Sequence, residues 1–479
     1  VHRSSFIARA AGSMTAVALA KLPYRALAQD VVSFRLVAAP MPYSPAPGIN
    51  VNAIAYNGSI PGPLLRIRHG QRLHVEYVNH SSLQTSVHWH GMILPNAMDG
   101  VPGVTQPPVE PGGRFVYEYA PNPPGTRWYH DHAKDMGILR GLFGMIVVED
   151  PRDEHADVEC AIVFHDVPDF ATVRAALAGT SHAPMIDPMG SPEMMEMKPN
   201  DKMGDEVRYL AHCINGAVYP KTKTLKVNIG DRVRLRILNA SATQTRYVRL
   251  AGHRLEVTHA DGNPLLVPVS FDALRIGVAE RYDVWFEVTK SGAWLLQGLS
   301  SDPLAFQQAM VVYTEGMENA APVSSPQSLE GIEVLSYEKL AGGYGADDSV
   351  RAATVRADFT LGGGKWGSDR WTMNGQTWPN VPKIHVRHGE RVRVHFKNTT
   401  DMDHPMHLHG HVLTVAEIDE KPLVNPIAKD VSLVRADGGT LTWIFDANAY
   451  PGRWLLHCHN EIHMMDGMMT EVDYDTVSS

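Results

Sequence analysis

Asp231-Arg232-Val233-Arg234-Leu235-Arg236-Ile237-Leu238-Asn239 and Glu390-Arg391-Val392-Arg393-Val394-His395-Phe396-Lys397-Asn398 carry one pattern, and Gln71–Asn79 carries it a third time. Apolar and polar residues alternate with the period of two that reads as a half-buried antiparallel strand. The closing asparagines stand 160 and 159 residues apart. The repeat extends outward from these strands in both directions. Upstream lie the turns Arg68-His69-Gly70, Asn228-Ile229-Gly230 and Arg387-His388-Gly389. Further upstream, Asn57-Gly58, Asn215-Gly216 and Asn374-Gly375 recur at intervals of 158 and 159. Downstream each copy ends on a Gly-then-Trp strand, at Gly125/Trp128, Gly292/Trp294 and Gly452/Trp454. Gly and Pro punctuation between short alternating strands suits an all-β fold. The chain therefore reads as three consecutive β-sandwich domains, 29–150, 156–318 and 333–479.

Composition bounds the function. A chain of 479 residues, 44% hydrophobic and 20% charged, can bury several cores. Its net charge of −9 argues against nucleic acid as a partner, because a phosphate backbone demands a positive face. No long apolar run is present that would span a membrane. Three cysteines, Cys160, Cys213 and Cys458, are too few for a disulfide framework, and Cys160 and Cys213 read as buried thiols. The excess lies in 24 His and 21 Met.

The histidines cluster. Windows 88–90, 130–132, 404–411 and 457–463 hold 11 of the 24. The repeat supplies an internal control for what they do. His88-Trp89-His90 and His407-Leu408-His409 in the outer copies align with Arg249-Leu250-Ala251 in the middle one. His130-Asp131-His132 and His457-Cys458-His459 align with Gln297-Gly298-Leu299. The middle copy keeps the strands and lacks the histidines, so the sandwich does not need them. His253 and His411 both follow the glycine, including in the ligand-free copy, so His411 reads as structural. His69 and His388 sit in turns and carry no expectation.

On a strand, residues i and i+2 face the same side and i+1 the other. Each His-x-His thus offers two imidazoles to two neighbouring metals. Four such pairs divide naturally as three, three and two, a cluster of three metals between the first and last domains. Cys458 must point away from His457 and His459. With His404, His463 and Met468 it forms a Cys-His-His-Met set, the donor set of a blue-copper electron-transfer site. A zinc or manganese site explains neither the lone thiolate nor the methionine.

These segments resemble the four copper signatures of the three-domain multicopper oxidases, the laccase group. They are His88–Gly91, Trp128–His132, His404–His411 and His457–His463. The resemblance implies cupredoxin-like Greek-key sandwiches and four copper ions: one type 1, one type 2 and a type 3 pair. It assigns His404, Cys458, His463 and axial Met468 to type 1, and His88 and His407 to type 2. His90, His130 and His459 go to one type 3 copper, and His132, His409 and His457 to the other. The implied reaction couples four one-electron oxidations to reduction of dioxygen to water. That reduction consumes protons, and Asp99 and Glu461 resemble the family's acids near the cluster.

The reducing substrate is open at this stage. Phenols and aromatic amines are the leading expectation, with Cu(I) or Fe(II) in copper tolerance as the alternative. Met185, Met189, Met194, Met195, Met197 and Met203 form an insertion in the middle copy that reads as an exposed loop. It serves either as a soft Cu(I)-recruiting surface or as an apolar lid. A copper nitrite reductase or storage protein would not carry all eight cluster histidines in one chain. Residues 1–28 read as an export segment, with Arg3, Arg9, apolar Ala10–Ala20 and Ala26-Leu27-Ala28. Arg3-Ser4-Ser5-Phe6-Ile7 resembles a twin-arginine signal with Ser4 in place of the second arginine, leaving that route and general secretion both open. The expectation is a periplasmic or secreted monomer.

Overall fold

The computed structural model describes residues 30–177, 207–300, 302, 304–343, 345, 352–364 and 370–474. The export segment and the methionine insertion Met185–Met203 lie outside them. The described chain forms six sheets, two for each copy of the repeat. In each copy the first long strand runs parallel to the alternating strand: Val31–Ala46 with Arg72–Asn79, Val158–Pro168 with Arg232–Asn239, and Val355–Gly362 with Arg391–Asn398. The alternating strand pairs antiparallel on its other edge, with Arg114–Tyr119, Arg281–Glu287 and Thr440–Asp446. The chain is all-β sandwich, as its alternation implies.

The recurring asparagines have a physical cause. Asn57, Asn215 and Asn374 have φ of 53°, 50° and 53°, each followed by a glycine also at positive φ. This is the two-residue hairpin turn whose twist matches that of the strands. Each asparagine also clamps the neighbouring strand: its side chain accepts from the N–H of Val37, Val163 or Thr360 and donates to the C=O of Arg35, Ala161 or Asp358. The closing asparagines repeat a second device. Asn79, Asn239 and Asn398 are fully buried. Their amides donate to two backbone carbonyls each, those of Leu83 and Val109, of Gln244 and Ile276, and of Met402 and Val434.

One expectation needs correction. Arg391–Asn398 is half-buried, but Arg232–Asn239 is buried on both faces. Arg234 and Arg236 turn inward because Asp283 neutralises both, at 2.7 and 2.8 Å. Arg236 also donates to Thr126 of the first copy at 2.9 Å. The polar face of the middle strand is an interface between sandwiches rather than a solvent face.

Candidate metal centre

The histidine pairs occupy one sheet position in each outer copy. In the first, His88–His90 pairs antiparallel with Gly125–His130, with His88 opposite His130. In the third, His404–Leu408 pairs with Arg453–Cys458, with His407 opposite His457. The middle copy has the same ladder with Arg249 opposite Gln297. There the two side chains hold the following linker: Arg249 donates to Pro326 O, and Gln297 Oε1 accepts from Ser325 N at 2.6 Å. At the place of His404 stands Arg246, paired with buried Asp166 at 2.5 Å.

The eight imidazoles meet in one knot between the outer sandwiches. The ring centroids of His90, His130 and His459 lie 5.0 to 5.7 Å apart. Those of His132, His409 and His457 lie 5.0 to 5.2 Å apart, and His88 is 5.8 Å from His407. The sets interleave: His88 stacks on His409 at 3.8 Å and His90 on His407 at 3.7 Å. One nitrogen in each of four of them is fixed by a backbone carbonyl. His88 Nδ1 donates to the Asp99 carbonyl at 2.8 Å, His130 Nδ1 to that of Asp131 at 2.9 Å, and His407 Nδ1 to that of Asp430 at 2.7 Å. His457 Nδ1 donates to the Cys458 carbonyl at 2.8 Å.

The inward nitrogens are bare. His88 Nε2, His90 Nδ1, His130 Nε2, His407 Nε2 and His459 Nε2 are buried without a hydrogen-bond partner. Burial and then the neighbouring imidazoles hold His130, His407 and His459 well below the usual imidazole range, and His457 is lowered by burial to about 4. They are neutral lone-pair donors at neutral pH. Orphaned polar atoms are costly inside a protein, and a set of neutral imidazoles held by outer hydrogen bonds is how proteins present metal ligands. The donors fit copper.

On the far side of Cys458, its Sγ lies 3.6 Å from His404 Nδ1 and 3.5 Å from His463 Nδ1, and those two nitrogens are 3.1 Å apart. All three residues are fully buried. Local sequence builds this pocket. Asn460 caps the short helix Glu461–Asp466, its Oδ1 accepting from Ile462 N and His463 N. Gly467 ends the helix at φ 110°, a C-cap that suits glycine. That turn brings Met468 alongside, its carbonyl accepting from Cys458 N at 3.0 Å. His404 Nε2 is held by Thr400 Oγ1 at 2.9 Å, leaving Nδ1 facing the thiol.

The two acids differ in their contacts. Asp99 Oδ2 accepts from His409 Nδ1 at 2.9 Å, and its Oδ1 is 3.3 Å from His88 Nδ1. Gly100 after it has φ 82°, and a Cβ there would strike the Val87 carbonyl, so the position demands glycine. Glu461 is buried, its Oε2 accepting from Leu139 N at 3.1 Å. Burial, reinforced by the Asp131 carboxylate, raises it to about 8, so it holds a proton at neutral pH. His411 lies off the knot, between the His409 carbonyl and Tyr474 OH, as His253 sits on the Ala251 carbonyl.

Sequence reasoning missed Asp430. Its Oδ1 accepts from His90 Nε2 at 2.9 Å while its carbonyl holds His407. Arg281 of the middle copy grips both its oxygens, at 2.7 and 2.5 Å, and Arg127 of the first copy stands 3.3 Å away. All three are fully buried. The middle copy, which holds no cluster histidine, thus supplies the cation that positions the outer carboxylate. The one signal was Lys429-Asp430, two charges inside an apolar run.

Models of the multicopper oxidase family match residues 38–153, 191–313 and 351–478. The multicopper oxidase MmcO of Mycobacterium tuberculosis is 34% identical over 439 residues, 88% of this chain and 83% of that protein. Two solved structures share the cupredoxin fold. Fet3p, a multicopper oxidase that functions in iron import, has a TM-score of 0.77 at 20% identity, covering 93% of this chain and 91% of that one. The laccase of Botrytis aclada has a TM-score of 0.76 at 23% identity, covering 94% and 89%. The chain belongs to the multicopper oxidase family, as a copper-dependent oxidoreductase with dioxygen as electron acceptor.

Proposed function

We propose that this chain is an oxidase of the laccase type, coupling four one-electron oxidations of phenols or aromatic amines to the conversion of dioxygen and four protons into two waters. The observation that supports it most is the position of Cys458. Its thiol faces His404 and His463, while its chain neighbours His457 and His459 enter the eight-histidine knot. In this reading His404, Cys458, His463 and Met468 would hold the type 1 copper, and His88 and His407 the type 2. His90, His130 and His459 hold one type 3 copper; His132, His409 and His457 hold the other. Copper bound there would supply one-electron redox chemistry.

The chain's own groups do the rest. Asp99 and the Asp430 carbonyl keep the imidazoles in one tautomer, and Glu461 carries a proton beside the cluster. Asp99 and Glu461 are the proton donors we assign. The domain pair that grips the cluster would work outside the cytoplasm, in the periplasm or as a secreted monomer. The second reading, oxidation of Cu(I) or Fe(II), rests on the six methionines between Met185 and Met203, which lie outside the described residues. The test is kcat/KM for a substituted phenol and for Cu(I) on one fully copper-loaded preparation, repeated with Met189, Met194, Met195 and Met197 replaced by Leu. Leu keeps apolar bulk and removes the sulfur donors. Retention of both rates supports the laccase reading; a selective loss of Cu(I) oxidation makes the metal ion the substrate.

A further inference from the structure

His463 is the type 1 histidine nearest the end of its helix, and an indole covers it. The Trp371 ring lies 3.8 Å from the His463 ring at an interplanar angle of 32°, and meets the His404 ring edge-on at 5.4 Å. Gly364 lies over the benzenoid part of the same indole. Its φ is +69°, and a Cβ there would fall 2.0 Å from the ring, so backbone conformation and close approach both demand glycine. The Trp371 backbone N–H donates to Asp466 Oδ2 at 2.6 Å, and Arg370 Nε donates to Asp466 Oδ1 at 3.0 Å. Asp466 is the last residue of the helix that carries His463. Cap and ligand are therefore tied to one rigid element.

Burial shows what this does. His463 is 0% exposed and Trp371 8%, while Gly363 and Gly364 are half-buried and Arg370 is exposed. Trp371 thus retains some exposure on this side where His463 retains none. A planar π system in contact with the His463 ring passes an electron by orbital overlap, and it denies the visitor a hydrogen bond to the imidazole.

We propose that Trp371 is the substrate-contact and specificity residue of this oxidase. Reducing substrates touch the indole, not His463, and the chain favours donors that give up an electron without hydrogen-bonding to the imidazole. The inference rests on the type 1 reading of His404, Cys458 and His463. The step is balanced by one electron: the donor is oxidised by one unit, the type 1 site is reduced by one, and a phenol's proton leaves to solvent. The indole is unchanged.

The test compares two donors on the copper-loaded Trp371→Ala variant. Ferrocyanide is a large hydrated anion that cannot enter an indole-sized gap, so losing the ring lowers its kcat/KM by about fivefold or more. 2,6-Dimethoxyphenol fits the gap and gains direct contact with His463, so its kcat/KM rises by about the same factor. Trp371→Phe keeps a smaller aromatic ring, so each rate shifts in the same direction as in Trp371→Ala and by less. Opposite signs are the signature, because general damage lowers both together. A parallel fall, or no change in either, overturns the proposal. A second readout uses the copper-free chain: diethyl pyrocarbonate modification of His463, mapped by mass spectrometry, is slow in the wild type and fast in Trp371→Ala. Equal rates overturn the cap. If Trp371→Ala fails to fold, Trp371→Leu keeps apolar bulk without a ring; ferrocyanide oxidation falls and the phenol rate does not rise, and an unchanged ferrocyanide rate overturns the proposal. Failure of the type 1 reading itself looks different: Cys458→Ser would stay blue.

Discussion

Asp430→Asn probes a carboxylate on which all three sandwiches converge. Asn preserves shape and one acceptor oxygen but presents an NH2 group toward the Arg281 guanidinium. It removes the anion that Arg281 and Arg127 share; Arg281 keeps the Asp261 carboxylate at 3.6 Å, which Lys429 also holds at 3.0 Å. Removing one partner of a buried ion pair costs about 3–5 kcal/mol. Arg127 loses its carboxylate contact while Arg281 retains Asp261, so the lower half of that range is expected. His90 also loses its carboxylate acceptor, while the backbone carbonyl that holds His407 stays, and loss of such an outer hydrogen bond weakens metal binding by about 10- to 100-fold. Denaturant unfolding of the copper-free chain, followed by tryptophan fluorescence, reads the first effect. Copper release to a competing chelator reads the second. A double-mutant cycle with Arg281→Met should show coupling of about 1–3 kcal/mol, because the pair is in direct contact. A destabilisation below about 1 kcal/mol together with unchanged copper retention would refute the claim that the middle sandwich positions the cluster through this carboxylate.

Three further outcomes follow from the same geometry. Cys458→Ser abolishes the intense blue absorption and substrate oxidation while the eight-histidine knot still binds copper; a blue mutant would displace the type 1 assignment. His407→Ala depletes the type 2 copper, read by electron paramagnetic resonance, and the reduced variant stays bleached in air; normal reoxidation would contradict the assignment. Cys213 is raised to about 12 and Cys160 to about 11, mainly by burial. A group with its pKa raised that far is protonated throughout the neutral range, so at pH 8 the Cys213 thiolate amounts to about one part in ten thousand. Neither thiol should react with Ellman's reagent in the native chain, and all three should react after denaturation; rapid native labelling of Cys213 would place it at the surface.

Much of the site was legible because its chemistry is written at short range. His-x-His on a strand must send both rings to one side, and Cys458 between two such histidines must point to the other. The middle copy, with Arg249 and Gln297 at the same ladder positions, separated ligand from scaffold before any coordinates were needed. What escaped was held by contacts of long sequence separation. Nothing local to Asp430 announces Arg281 and Arg127, which lie 149 and 303 residues away. Nothing local to Arg234 and Arg236 says that Asp283 will neutralise them, so their strand reads as half-exposed when it is buried.

By itself, the order of residues determined the three-fold repeat, the hairpin turns and the side on which each ligand stands. Those follow from backbone dihedrals and the two-residue period of a strand, which act between near neighbours. Only the tertiary structure decided how the sandwiches dock, which buried cation meets which carboxylate, and that Trp371 lies across His463. These are set by complementary packing and by the need to pair every buried charge, conditions satisfied by groups that the chain brings together only when it is folded.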